Sequence, residues 1–66
     1  MIHLTRLGHH DFVLNAELIL TVERTPDTVV TLVNGMKYMV EEPVDEVVKR
    51  VVAYRRAVHA GPTAGE

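Results

Sequence analysis

Residues 29–40 read Val-Val-Thr-Leu-Val-Asn-Gly-Met-Lys-Tyr-Met-Val, two runs rich in β-branched and aromatic side chains separated by Asn34-Gly35. Asn-Gly accommodates the positive φ angles of a type I′ turn, so the stretch is expected to form a tight antiparallel hairpin of that type. Alternation within it sorts side chains onto opposite faces: Val30 and Leu32 against Val29 and Val33, and Tyr38 and Val40 against Met39.

Upstream, the same two-residue rhythm recurs. Ile2 to Arg6 alternates apolar and polar residues, Leu7-Gly8-His9-His10 reads as a turn, and Phe12-Val13-Leu14 supplies a return strand. Asn15 can cap backbone amides and opens a short turn through Ala16 and Glu17 that ends near Leu18. A further strand runs from about Ile19 to Arg24, and Thr25-Pro26-Asp27-Thr28 breaks it, because proline presets its φ angle and has no donor for a ladder.

Downstream, the rhythm becomes helical from Val44 to about Ala60. Pro43 suits the first helical position, Asp45 and Glu46 lie where the helix dipole favours anions, and Arg55, Arg56 and His59 lie near its cation-favouring end. Gly61-Pro62 stops the helix. On a helical projection Val44, Val47, Val48, Val51, Tyr54 and Val58 share one side, and Asp45–Lys49 and Glu46–Arg50 are spaced as i,i+4 ion pairs. The fold class read from the chain is α+β: an antiparallel meander of four to five short strands followed by one C-terminal amphipathic helix. One domain is expected over residues 1–60, with a flexible tail over 61–66.

The chain has 66 residues, no cysteine and a formal net charge of -2. A chain of this size hides only about 60% of its unfolded surface on folding, and without disulfides or thiolate metal sites oligomerisation is the leading remedy for a small core. The valines ask for the same thing. One helix covers one sheet face, yet apolar residues lie on both sides of the strands, Val30 and Leu32 against Val29 and Val33, Tyr38 and Val40 against Met39, and Phe12 and Leu14 against Val13, and each buried apolar side chain is worth about 1.5–3 kcal/mol. A homo-oligomer or permanent partner is expected; the alternative is that these residues satisfy strand propensity on an exposed face. Arg55 projects close to the valine stripe and either meets a partner, snorkels past the end of the sheet or bonds the last helical carbonyls. No basic-then-apolar leader opens the sequence and no apolar run approaches the roughly 18 residues of a membrane span, so a cytoplasmic protein without membrane insertion is expected. Acidic net charge disfavours general nucleic-acid binding.

Chemistry-bearing motifs are sparse. His3, His9 and His10 are the only histidines the hairpin would gather, but neighbouring strand residues face apart and no thiolate or acidic motif completes a ligand set, so no native metal site and no cofactor are expected. There is no glycine-rich phosphate loop, nucleophile elbow or spaced carboxylate pair; Glu41 and Glu42 directly precede the helix, where its dipole accounts for them. No enzyme is expected.

The segments IHLTRL, FVLNAELI, TPDTVVTLVNGMKYMV and VDEVVKRVVAYRR, in that order over Met1 to about Arg56, resemble the FlbD/SwrD family of small flagellar and swarming-motility proteins. The resemblance implies a cytoplasmic bacterial accessory protein that contributes to motor power through protein contacts, with a motor or stator-associated partner and no catalytic residues. Two features depart from the family pattern: Gly8-His9-His10 stands where an Asn-Gly-Lys turn is usual, and a serine is common near Pro43. Among the matched residues Asn15, Asp27, Asn34 and Gly35 have sufficient explanations as turn residues, whereas Arg6 has none. The candidate interaction surface is therefore Arg6, Val29, Val33, Met39 and Arg55. The alternative is a small RNA-binding translational regulator, since Leu4-Thr5-Arg6 also resembles a strand of the carbon-storage regulator family; the acidic charge and the single arginine in that strand weigh against it.

Overall fold

In Ile2–Arg6 (β1) alternation does what the pattern asks, burying Ile2 and Leu4 and leaving His3 in solvent. The computed structural model describes residues 1–59, so the expected end of the helix at Ala60 and the tail from 61 to 66 lie outside the described residues. The remaining strands are β2 (His10–Leu14), β3 (Ile19–Arg24), β4 (Thr28–Leu32) and β5 (Lys37–Val40), followed by one helix, α1 (Val44–His59).

All strand pairs are antiparallel, in the order β2-β1-β5-β4-β3. This is the expected α+β class, but the neighbour order departs from an uninterrupted meander at one joint. β2 and β3 do not pair; they are the two edges, and β1 sits beside β5. A short 3-10 turn, Ala16–Leu18, explains the departure. Asn15 Oδ1 accepts the Glu17 amide at 3.0 Å, Ala16 is buried, and the Leu18 carbonyl accepts the Val33 amide at 2.8 Å, so the chain leaves β2 and arrives at the opposite side of the sheet.

The hairpin over 29–40 forms, with Val29 opposite Met39 and Val30 opposite Tyr38. Its turn is not type I′. Of Asn34 and Gly35 only the glycine has positive φ, at 90°, and the Gly35 amide bonds the Leu32 carbonyl at 2.9 Å while Leu32 donates to Met36 at 2.8 Å. That is the three-residue loop in which a β-turn is followed by a left-handed glycine. Asn34 instead uses its side chain, accepting the Met36 amide at 3.0 Å. The first turn is the one with successive positive φ angles, at Gly8 (93°) and His9 (66°).

Ile2, Leu4, Leu14, Ala16, Val30, Leu32, Val40 and Val47 form the core, with Phe12, Ile19, Val22, Tyr38, Val51 and Tyr54 packed against it. The helix thus covers the face of Val30 and Leu32, reaching β1 and β3. Its buried stripe is narrower than the projection suggests: Val47 is buried, Val44, Val51 and Tyr54 are half-buried, and Val48 and Val58 are exposed. Pro43 lies just outside the helix, its carbonyl accepting the Glu46 and Val47 amides at 3.0 and 3.1 Å. Glu46 and Arg50 pair at 2.8 Å, whereas Asp45 and Lys49 form no ion pair among the described residues.

Candidate functional site

Alternation and register divide the expected interaction residues among three places. Val29 and Met39 are direct cross-strand partners on the face away from the helix, Val29 half-buried and Met39 exposed. Val33 follows β4 beside the Asn34-Gly35 turn and is 59% exposed. Val13, 52% exposed, lies on β2 opposite His3 on this same helix-free side.

Arg6 is not part of that surface. It stands opposite Val40, on the core-facing side of β1, where its guanidinium carbon lies 5.7 Å from the Tyr38 ring centroid. Tyr38 in turn meets Phe12 with ring centroids 5.2 Å apart and tilted by 38°. This supplies the structural role that the sequence leaves open: a cation over an aromatic face at the open end of the core. Arg55 is exposed on α1 and makes no hydrogen bond or ion pair among the described residues. The five candidates therefore do not converge on one spot.

What does converge is a set of residues read from sequence as unremarkable. Beyond the Arg6–Val40 pair, β5 bends away into the helix and leaves the β5-side edge of β1 without a strand. Glu42 fills the gap: its Oε1 accepts the Thr5 amide at 2.9 Å and its Oε2 accepts the Thr5 hydroxyl at 2.8 Å. Arg50 of α1 closes the arrangement, donating through Nη1 to the His3 carbonyl at 2.7 Å and to Glu42 Oε2 at 3.3 Å, and through Nε to Glu46 at 2.8 Å. Side chains thus take the place of the missing strand and latch the helix to β1. The Glu42 side chain is only 12% exposed. Burial pushes its carboxyl upward, but the Thr5 amide and hydroxyl, its own amide and the Arg50 charge outweigh that and hold it below the ordinary carboxylate value. Arg50 is shifted upward, first by its bond to Glu46. No spacing could have announced this clasp, because Thr5 and Glu42 are separated by 37 positions.

Glu41 has a different task, accepting the His9 amide at 2.9 Å and so pinning the left-handed residue of the first turn. His9 itself is 89% exposed on its side chain, and His3 and His10 are exposed. Among the described residues no group of three or more His, Cys, Asp or Glu is placed to hold a metal ion. An open recess of about 790 Å³ lies between the Pro26-Asp27 turn and the start of α1, lined by residues that include Arg24, Asp27, Thr28, Glu41 and Asp45. Among the described residues no helix is long and apolar enough to cross a membrane.

Fold and surface together define a small antiparallel sheet latched by one helix, whose conspicuous exposed features are apolar side chains. The chain belongs to the FlbD family, described as flagellar and swarming motility proteins, whose model matches residues 1–59. That is not a known enzyme family. No match was found among curated proteins or among solved structures.

Proposed function

We propose that this chain supports flagellar motility and swarming through protein contacts, without catalysing a reaction, as a cytoplasmic homo-oligomer that meets a motor or stator-associated protein and so contributes to motor power. Membership in a family of flagellar and swarming motility proteins gives the motility role. The observation that carries the contact reading is the helix-free sheet face, where the adjacent Val29 and Met39 leave apolar surface in water. On a domain this small such residues mark a place where a partner gains stability by covering them.

The test is complementation of a deletion strain. Wild-type protein should restore swarming, and the Val29→Lys/Met39→Lys double variant, checked to be folded and expressed, should not. Normal swarming by the deletion strain would overturn the motility role, and full rescue by the double variant would overturn the assignment of this face. Tight RNA binding with steep salt dependence by the purified protein would instead favour the translational-regulator reading.

A further inference from the structure

The clasp shows how thoroughly the fold closes one strand edge, and it leaves another open. In β1 the amide and carbonyl of Thr5, the amide of Leu7 and the carbonyl of His3 all point toward β5 and α1, where Glu42, Glu41, Met39 and Arg50 meet them. Ile2, Leu4 and Arg6 therefore direct their backbone groups toward β2, to Leu14, Phe12 and His10. It follows that Asp11 and Val13 turn their amides and carbonyls away from the sheet.

That edge carries few of the devices that usually guard one. Its sequence, His-Asp-Phe-Val-Leu, contains no proline, lysine or bulge. The opposite edge, β3, has an irregular register between Ile19 and Thr21, ends in Glu23-Arg24 and packs against the helix. Of the two edges, β2 is the one prepared to accept a strand.

We propose that a second copy of this chain pairs with it, β2 against β2 in antiparallel register about a two-fold axis at Val13, joining two sheets into one. The inference rests on the oligomeric reading above and names its surface. The register follows from the sequence of the strand. Setting Asp11 opposite Asp11 of the second copy places like charges face to face, which is destabilising. Setting Val13 opposite Val13 of the second copy matches apolar residues on both faces: Val13 with Val13 on the helix-free side, and Phe12 with Leu14 on the core side. Asp11 then falls opposite Asn15, a polar neighbour without negative charge. The segment is thus complementary to itself, as a two-fold interface requires. About four inter-strand hydrogen bonds would form, two between the paired Val13 residues and one from each Asn15 amide to the Asp11 carbonyl of the other copy, the Asn15 carbonyl already accepting the Leu18 amide. The exposed Val13 and the half-buried Phe12 would both lose water contact.

The test is light scattering on the full chain over a range of concentrations, with amide hydrogen exchange read at Asp11 and Val13. Wild type should reach twice the 7.4 kDa chain mass, with those amides increasingly protected as concentration rises. Val13→Lys places like charges across the axis, and Val13→Pro removes an outward amide that β1 does not use; either should return the mass to one chain while circular dichroism keeps the fold. Met39→Lys, on the sheet face rather than the edge, should leave the mass doubled. A wild type that stays at one chain mass, or folded Val13 variants that keep the doubled mass, would overturn the proposal. Dissociation by Met39→Lys alone would also overturn it, by making the sheet face the self-association surface. The swarming assay judges the contact reading separately, so a monomer that still needs Val29 and Met39 for swarming sinks this inference and leaves that reading intact.

Discussion

Thr5 and Glu42 are joined twice, the strand residue giving both its amide and its hydroxyl to the two carboxylate oxygens, at 2.9 and 2.8 Å. The pair marks where β5 leaves the sheet, and it converts an exposed strand edge into an anchor for α1. Arg50 holds the carboxylate from the other side and caps the His3 carbonyl.

Removing the carboxylate should therefore cost more than one surface ion pair. Glu42→Ala leaves the Thr5 amide, its hydroxyl and the Arg50 guanidinium without their common acceptor, and hydrogen bonds to charged groups contribute about 1.5–3 kcal/mol. A loss of about 2 kcal/mol is expected in urea unfolding. Thr5→Val removes only the hydroxyl donor and should cost about 1 kcal/mol. In the double variant the two losses should fall short of adding, because both remove one of the same bonds.

The same carboxylate gives the fold a pH dependence. Its folded value lies below the ordinary 4.5, so the stability it contributes is fully present above 4.5 and is lost as pH falls through the folded value. Wild type should weaken progressively in acid below 4.5, and Glu42→Gln, already lacking the charge at neutral pH, should show a shallower decline. Equal acid slopes in the two proteins would remove Glu42 as the source.

Much of this was legible in the chain and the rest was not, for definite reasons. Alternation correctly divided Val30 and Leu32 from Val29 and Met39, because the pleat imposes a strict period of two. Capping by Asn15 is a local matter and was readable as such. The turn at Asn34-Gly35 was recognisable as a turn, but its type depended on the pairing of Leu32 with Met36, which cross-strand packing decides. The β1–β5 joint and the clasp depend on which elements meet in space, and neither propensity nor spacing encodes the meeting of Thr5 with Glu42. Arg6 needed Tyr38 beneath it before it had a role.

Gly35 offers a clean check on the hairpin loop. With φ at 90° and no atom within 4 Å of where a Cβ would stand, Gly35→Ala meets only backbone strain, of about 1–2 kcal/mol. Gly8→Ala should cost at least as much, since its φ is 93° and the added methyl would approach the His10 ring at 3.3 Å. Thermal melts should show both variants lowered. An unchanged melt for Gly35→Ala would mean that the loop relaxes to a turn in which residue 35 has negative φ, such as type I.

Neighbouring valines of the helix should behave in opposite ways. Val47 is fully buried among the core residues, while Val48, the next residue, is 47% exposed. Valine in a helix depends on packing rather than on propensity, and alanine is the better helix former. Val47→Ala should therefore lose about 2 kcal/mol through the cavity and the lost apolar transfer. Val48→Ala gives up little packing and gains helix propensity, so its stability should stay within about 0.5 kcal/mol of wild type. Urea midpoints of the two variants decide the matter: a large loss at Val48 in the purified protein would mean that this side of the helix is covered, and the covering surface would have to come from another copy of the chain, since no other molecule is present.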